Sequence, residues 1–277
     1  MTDQLTLVIG GNGKTGRRVV QRLTAADRPV RIGSRSGGVP FDWENPATWE
    51  PALENVEAAY VSYYPDLAAP GAPAAIGAFA ETALKSGARR LVLLSGRGEE
   101  EAQASEQALA ASGADWTVLR CSWFNQNFSE DYLCEFVLGG HLYLPAGDVG
   151  EPFLDADDIA DAAAAVLTQD GHLGEVYELT GPRLLTFADA AAAISAATGR
   201  TIGYTRIPVE DFAASLMADE VPGDVVELLS YLFTSVLDGR NEYVCDGVQR
   251  VLGRPARDFA DYARDTAATG IWNGGRP

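Results

Sequence analysis

Residues 10–16 contain glycines at spacings that are typical of phosphate-binding turns. The run from Gly11 is Gly-Asn-Gly-Lys-Thr-Gly, with glycine at its first, third and sixth positions. This is the G-x-G-x-x-G pattern of a dinucleotide-binding turn. The same run contains Gly13-Lys14-Thr15, which matches the end of a P-loop for nucleoside triphosphates. These residues are therefore compatible with either a dinucleotide or a nucleoside triphosphate, and the spacing of the glycines distinguishes the two ligands.

The spacing excludes the P-loop. A P-loop has the form G-x-x-x-x-G-K-[ST], so a glycine would have to stand five residues before Gly13. Val8 occupies that position, inside an apolar run that is typical of a strand. In the dinucleotide pattern, Gly10 or Gly11 makes the tight turn. Gly13 then lets the backbone approach a diphosphate, and Gly16 lets the next helix pack on the strand. That helix begins with free N–H groups, which favour an anion.

The end of the second apolar run distinguishes NAD from NADP. An acidic residue there binds the ribose hydroxyls in NAD-binding proteins, whereas this chain has Gly-Ser-Arg-Ser at residues 33–36. Arg35 could grip a 2′-phosphate through charge-assisted hydrogen bonds. We therefore predict NADP(H) as the cofactor, and a solvated surface arginine is the alternative.

The elements that position these residues alternate along the first two-thirds of the chain. Strands are expected at 5–10, 29–34, 58–64, 89–96, 115–120 and 175–181. Helices are expected at 17–26, 73–86, 100–112, 123–140 and 155–168. Apolar strands separated by helices predict a parallel sheet covered on both faces. The predicted fold class is α/β, a Rossmann-type doubly wound parallel sheet with a small, mainly helical C-terminal substrate subdomain.

The predicted domains follow from this pattern. Residues 1–120 are expected to form the NAD(P)-binding Rossmann core. Residues 121–277 would supply the remaining sheet elements and a substrate-binding cap. In open α/β sheets, ligands bind beyond the carboxyl ends of the strands, so the cap is expected there.

The composition argues against several functions. Asp and Glu number 39 against 21 Lys and Arg, a formal net charge of -18, and nucleic-acid binding needs a basic face. Cys121, Cys134 and Cys245 follow no metal-ligand spacing. The N-terminus lacks the features of a secretory signal, and no apolar run reaches membrane-spanning length. We expect a soluble, cytoplasmic protein with no metal, nucleic-acid or membrane partner.

Six segments together resemble the NmrA-like family of atypical short-chain dehydrogenases/reductases. They are VIGGNGKTGRRVVQRL, RIGSRS, RRLVLLSG, SEQALAASGADWTVLRCSWFNQNF, PFLDADDIADAAAAVLT and VYELTGPRLLTFADAAAAIS. They follow one another between residues 5 and 195, about two-thirds of the chain. The resemblance implies a Rossmann fold, NADP binding and a small C-terminal substrate region.

The glycine pattern and this resemblance together predict the cofactor-binding residues. These are Gly10, Asn12, Gly13, Lys14, Thr15, Gly16, Arg35, Asp42, Ser62 and Tyr63. The resemblance implies that Asp42 reaches adenine, and that Ser62 and Tyr63 lie beside the ribose and pyrophosphate. It also implies that Ser95, at the end of the fifth strand, lies near the nicotinamide.

The chain departs from the related dehydrogenases in two ways. Cys121 stands where the family usually has proline, a change expected to loosen the loop into the substrate pocket. The chain also lacks the Tyr-x-x-x-Lys pair with which typical short-chain dehydrogenases protonate their substrate. Its two lysines are Lys14 and Lys85, and the residues four places earlier are Gly10 and Glu81.

These observations leave two main hypotheses for function. The first is an NADPH-dependent oxidoreductase of a small electron-poor substrate, a quinone or a conjugated carbonyl, because such acceptors need less help from a general acid. Ser95 would then polarise the substrate, with Tyr63 and Tyr132 as further candidates for the proton source. The second is a non-catalytic NAD(P)-sensing regulator. An isomerase or dehydratase that uses bound NADP structurally is a third option, and a homodimer is among the candidate assemblies.

Overall fold

A computed structural model describes residues 4–273, which divide into two compact units. Among these residues, unit 1 consists of 4–121, 156–179 and 246–255. Unit 2 consists of 122–155, 180–245 and 256–273. The chain thus leaves unit 1 after Cys121 and returns to it twice.

The secondary structure of the described chain alternates as the sequence predicts. Its strands are β1 (Thr6–Ile9), β2 (Val30–Ser34), β3 (Val39–Pro40), β4 (Ala58–Val61), β5 (Arg90–Gly96), β6 (Asp115–Cys121), β7 (His141–Leu144), β8 (Glu175–Leu179) and β9 (Gly203–Arg206). Its α-helices are α1 (Gly16–Ala25), α2 (Trp49–Ala52), α3 (Ala72–Ser86), α4 (Glu100–Ala111), α5 (Asn127–Glu130), α6 (Leu133–Gly139), α7 (Ala156–Thr168), α8 (Phe187–Thr198), α9 (Val209–Ala218), α10 (Gly223–Tyr231), α11 (Gly247–Leu252) and α12 (Phe259–Ala268).

Unit 1 is built on a parallel sheet of seven strands in the order β3-β2-β1-β4-β5-β6-β8. All four residues of β1 are buried, as expected for a parallel strand covered on both faces. Helix α1 packs against α7, and α3 packs against α4. The predicted Rossmann-type doubly wound sheet is confirmed.

The register brings three strand ends to one edge of this sheet. Thr6 of β1 pairs with Val30 of β2 on one side and with Ala58 of β4 on the other. Because the strands are parallel and in step, the residues that follow β1, β2 and β4 lie at the same carboxyl edge. The glycine turn, Arg35 and the segment after Val61 are therefore neighbours.

Unit 2 is mainly helical, as predicted for the C-terminal part. Its two strands, β7 and β9, pair in parallel. Phenylalanines from several helices form its core, including Phe128, Phe187 and Phe259, each at most 1% exposed. The indole Nε1 of Trp272 donates a hydrogen bond to the carbonyl oxygen of Phe128, 2.9 Å away.

Two predicted elements were wrong in extent. The expected helix at 123–140 is two short helices, α5 and α6, because the backbone of Asp131 is extended (φ −146°, ψ −173°). The expected strand at 58–64 ends at Val61. This early end leaves Ser62, Tyr63 and Tyr64 outside the sheet's hydrogen bonding.

The first turn of α7 is acidic because it forms ion pairs within unit 1. Asp157 pairs with Arg22 of α1, and Asp158, which is fully buried, pairs with Arg254 at 2.7 Å. These pairs join α7 to α1 and to the returning segment. None of the helices described in residues 4–273 is long and apolar enough to cross a bilayer.

Candidate functional site

The glycine turn connects β1 to α1 in the tight form expected for a dinucleotide site. Gly10 has a left-handed backbone (φ +67°), which glycine adopts at no steric cost. The Gly13 amide donates to the Gly10 carbonyl oxygen at 2.7 Å and closes the turn. A β-carbon on Gly16 would overlap the Gly10 carbonyl group, whose carbon would lie 2.7 Å away. The sequence therefore needs glycine where helix and strand approach most closely.

The start of α1 favours an anion. Its first turn contains no acidic residue, whereas Arg17 and Arg18 stand there and Lys14 lies just before it. A helix N-terminus has unsatisfied N–H groups and a partial positive charge. In a chain of net charge -18, this concentration of positive charge suits a diphosphate.

Asn12 ties the glycine turn to the end of β2. Its Nδ2 atom donates to Ser34 Oγ at 3.0 Å and to the Ser36 carbonyl oxygen at 2.8 Å. The Ser36 amide donates back to Ser34 Oγ at 3.1 Å. Arg35 lies between these two serines, so its backbone is held while its exposed side chain extends from the edge.

The segment after β3 packs beside the residues after β4. Trp43 Nε1 donates to the Ser62 carbonyl oxygen at 3.0 Å, and the rings of Trp43 and Tyr63 lie 5.0 Å apart. The Asp42 carboxylate accepts from the Glu44 amide at 3.1 Å. The structure therefore brings Asp42, Ser62 and Tyr63 to the same edge as the glycine turn. Sequence reasoning missed Trp43, although its place beside Asp42 was a usable signal.

Ser95 lies at the end of β5, as predicted, but its hydroxyl already donates a hydrogen bond within the protein. Ser95 is 4% exposed and donates to Glu106 Oε1 of α4 at 2.6 Å. Arg120 forms a two-point contact with the same carboxylate and donates to Glu178 Oε1 at 2.9 Å. The predicted role of Ser95 as a polarising donor stays a prediction, and it requires the hydroxyl to turn away from Glu106.

Two further carboxyl groups meet beside β5. Glu99 precedes α4 and is 8% exposed, and a β-carbon on Gly96 would lie 2.5 Å from the carboxyl carbon of Glu99. Burial and the neighbouring carboxylates of Asp66 and Glu106 raise the pKa of Glu99 well above its usual value. Burial also raises the pKa of Asp66. Sequence reasoning missed this pair because its members lie far apart in the chain.

The two candidate tyrosines lie in different units. Burial and the nearby Glu44 carboxylate raise the pKa of Tyr63 in unit 1. Burial and Asp131 raise the pKa of Tyr132 in unit 2. Among residues 4–273, the Tyr132 hydroxyl has no hydrogen-bond partner, and neither has the side-chain amide of the fully buried Asn125. Neither tyrosine is therefore activated in the way that a lysine partner would provide.

Unit 2 has an open surface pocket of about 430 Å³. Its walls are formed by Pro145, Arg206, Ile207, Pro208, Val209 and Thr234. Thr234 belongs to a π-helical turn at Leu232–Val236, a conformation often found at functional sites. The volume is in the range of small-molecule sites.

The chain is similar over nearly its full length to oxidoreductases, although no protein-family model matches it. It is 32% identical to the uncharacterized oxidoreductase YesF of Bacillus subtilis, over 98% of this chain and 99% of YesF. It is 30% identical to an NAD(P)H azoreductase of Xenophilus azovorans, over 95% of this chain and 98% of the azoreductase.

Solved structures show the same fold at lower identity. An NADPH-dependent quinone oxidoreductase of Escherichia coli, complexed with NADPH, matches with a TM-score of 0.78 and 22% identity, covering 94% of this chain and 99% of its own. The negative transcriptional regulator NmrA, in complex with NADP, matches with a TM-score of 0.70 and 19% identity, covering 99% of this chain and 98% of its own.

Proposed function

Because the chain belongs to the NmrA-like family of atypical short-chain dehydrogenases/reductases, we propose that it is an NADPH-dependent oxidoreductase. Its substrate is a small electron-poor organic molecule of the quinone or conjugated carbonyl type. The relatives support the reductase class, since the azoreductase is named for NAD(P)H. The choice of substrate rests on the chemistry of this chain's own residues.

The observation that carries the proposal is the glycine turn. Gly16 lets α1 begin directly against the backbone of the tight turn, and a cofactor diphosphate would bind beside this turn, where α1 presents its N-terminus. Arg35, Asn12 and the serines after β2 would hold the phosphorylated ribose. Asp42, Ser62 and Tyr63 would hold the adenosine and pyrophosphate side. When bound, NADPH supplies the hydride.

The residues near β5 favour an acceptor that needs little acid catalysis. The chain has no Tyr-x-x-x-Lys pair, and the pKa of both Tyr63 and Tyr132 is raised. Ser95 would have to leave Glu106 before it could donate to a substrate. An acceptor that delocalises the incoming charge reduces this demand, and alignment then supplies much of the rate increase. We keep Ser95 as the first candidate donor, followed by Tyr63 and Tyr132.

The C-terminal part is proposed as the substrate-binding region. An open pocket of about 430 Å³ in unit 2 supports this role, as do the buried polar groups of Asn125 and Tyr132, which have no hydrogen-bond partner among residues 4–273. A homodimer stays a prediction.

A second candidate function is an NAD(P)-sensing regulator without turnover. Its support is the fold shared with NmrA, together with the internally bonded hydroxyl of Ser95. This hypothesis expects tight cofactor binding and no consumption of NADPH with any acceptor.

The test is steady-state NADPH oxidation by purified protein against quinones, enones, azo compounds, imines and ketones. We expect turnover with the quinones and enones. Ser95→Ala should lower kcat without raising the KM for NADPH, and Ser112→Ala, on the surface turn after α4, serves as the matched control. Turnover confined to simple ketones would contradict the proposed acceptor class. Binding without any turnover would favour the regulator.

A further inference from the structure

The side chain of Arg35 rests on an aromatic ring. Its guanidinium carbon lies 4.2 Å from the centroid of the Tyr64 ring. Both residues are exposed, Tyr64 to 58%. Among residues 4–273, the Arg35 guanidinium has no ion pair or hydrogen bond, so this ring is its defining contact.

The contact joins two strand ends on opposite sides of β1. Arg35 follows β2 and Tyr64 lies three residues after β4, and these two strands flank β1 in the sheet. Adjacent strands are about 4.8 Å apart, so the pair reaches across two strand spacings at the edge where Gly10 begins its turn. It therefore lies beside the proposed cofactor site.

The backbone on either side of Arg35 is not enough by itself to fix the direction of the arginine side chain. Asn12 fixes Ser34 and Ser36 through hydrogen bonds of 3.0 and 2.8 Å. The long arginine side chain still has about 2 kcal/mol of rotamer entropy to lose. Contact with Tyr64 removes part of that freedom before any ligand binds.

A guanidinium group makes aromatic contacts through its flat face and hydrogen bonds through its edge, so the two kinds of contact do not compete. An aromatic ring takes the flat face through a cation–π interaction. The five N–H donors lie in the plane and remain available at the edge for a phosphate. One arginine can thus stay on Tyr64 while it binds a phosphate in two-point fashion.

We propose that Tyr64 is a positioning residue for cofactor specificity, which holds Arg35 so that its N–H edge meets the 2′-phosphate of NADP(H). This proposal rests on one part of the proposed function, namely that unit 1 binds NADP(H). It does not depend on hydride transfer. Tyr64 acts through Arg35, so it raises the affinity only for adenosine nucleotides that carry the 2′-phosphate.

The test compares 2′,5′-ADP with AMP, two probes that differ in the 2′-phosphate, by calorimetry on the full chain. Tyr64→Leu should weaken 2′,5′-ADP roughly 2- to 5-fold, the equivalent of about 0.5–1 kcal/mol for an exposed cation–π pair. It should change AMP affinity by less. Tyr64→Phe keeps the ring and should retain the affinity for 2′,5′-ADP. In an Arg35→Ala background, Tyr64→Leu should have no further effect.

Three results would overturn the proposal. Equal weakening of both probes by Tyr64→Leu would mean that Tyr64 contacts the adenosine itself. Tighter binding of 2′,5′-ADP would mean that the Arg35–Tyr64 pair covers the site instead of preparing it. Equal affinity of the unaltered protein for both probes would show that the site binds a nucleotide but has no preference for the 2′-phosphate. Failure of the proposed function is a separate result, in which neither probe binds.

Discussion

Two regions at the carboxyl edge of one sheet differ in how their polar groups are used. The glycine-turn region comprises the ends of β1, β2 and β4, and it contains the exposed side chain of Arg35 and the N-terminus of α1, whose first turn contains no acidic residue. The β5 region comprises Ser95, Glu99 and Glu106, all at most 8% exposed. There the Ser95 hydroxyl and the Arg120 guanidinium are already bonded to Glu106.

This difference indicates that the glycine-turn region is ready to bind the cofactor, whereas the β5 region is not yet arranged to assist a reaction. In the glycine-turn region the Arg35 guanidinium forms no ion pair among residues 4–273, so it can receive an anion without first releasing a carboxylate. The β5 region must first release a hydroxyl, and buried polar networks stabilise a fold when every member is satisfied. We infer that cofactor binding is built into the resting structure, whereas a catalytic role for Ser95 needs a change at Glu106.

Removing Glu106 should give the largest loss of stability. Glu106→Ala leaves the Ser95 hydroxyl and part of the Arg120 charge without their partner, and we expect a decrease of about 3 kcal/mol in the free energy of unfolding. Denaturant unfolding measures it. Glu81→Ala is the control, since that side chain is 68% exposed and, within the described residues 4–273, forms an ion pair only with Lys85. Equal small losses in both variants would mean that the β5 region is not a stabilising network.

Filling the glycine turn should remove cofactor binding. Gly16→Ala places a β-carbon against the Gly10 carbonyl group, and we expect a destabilisation of about 1–3 kcal/mol with loss of NADPH binding. Gly77→Ala, in α3, is the control because its β-carbon would make only an ordinary contact, 3.8 Å from Ala108. That change should stabilise the helix by about 0.5–1 kcal/mol. Normal NADPH affinity in Gly16→Ala would contradict the assigned site.

Arg35→Ala should alter cofactor preference more than stability. Loss of charge-assisted hydrogen bonds to the 2′-phosphate should weaken NADPH binding roughly 10- to 100-fold, with little change for NADH. Fluorescence titration of both cofactors measures this ratio. Arg89→Ala is the control, because Arg89 precedes β5 at the opposite edge and its side chain is 67% exposed. Parallel losses for both cofactors would contradict the role of Arg35.

The buried carboxyl pair of Asp66 and Glu99 predicts a pH dependence of stability. The pKa of Glu99 is raised in the folded state above its ordinary value of 4.5, so the folded chain keeps a proton that the unfolded chain releases. Stability should therefore fall as pH rises above about 4.5, by up to roughly 1.4 kcal/mol per pH unit until the raised pKa is reached. Unfolding followed from pH 5 to about 8 should show a flatter profile in Glu99→Gln.

Glu101→Gln, at an exposed position in the first turn of α4, should leave that profile unchanged. Parallel profiles for Glu99→Gln and the unaltered protein would show that Glu99 ionises normally.

The sequence predicted the parts that depend on local pattern. The glycine spacing predicts a turn whose geometry is fixed within residues 10–16, and apolar strand runs predict the parallel sheet. The contact of Arg35 with Tyr64 escaped prediction because it depends on which strands are neighbours. The same holds for Glu106 beside Ser95, which comes from a helix packed on the sheet. The single helix expected at 123–140 was wrong because periodicity does not reveal the extended backbone of Asp131.

The most direct test of a reductase is a single turnover with a quinone. Protein saturated with NADPH is mixed with the acceptor, and the loss of reduced cofactor is followed in the unaltered chain and in Ser95→Ala. We predict that one equivalent of NADPH is consumed, more slowly in the variant although it binds NADPH equally well. NADPH that stays bound and reduced in the presence of every acceptor would contradict the reductase and favour a regulator.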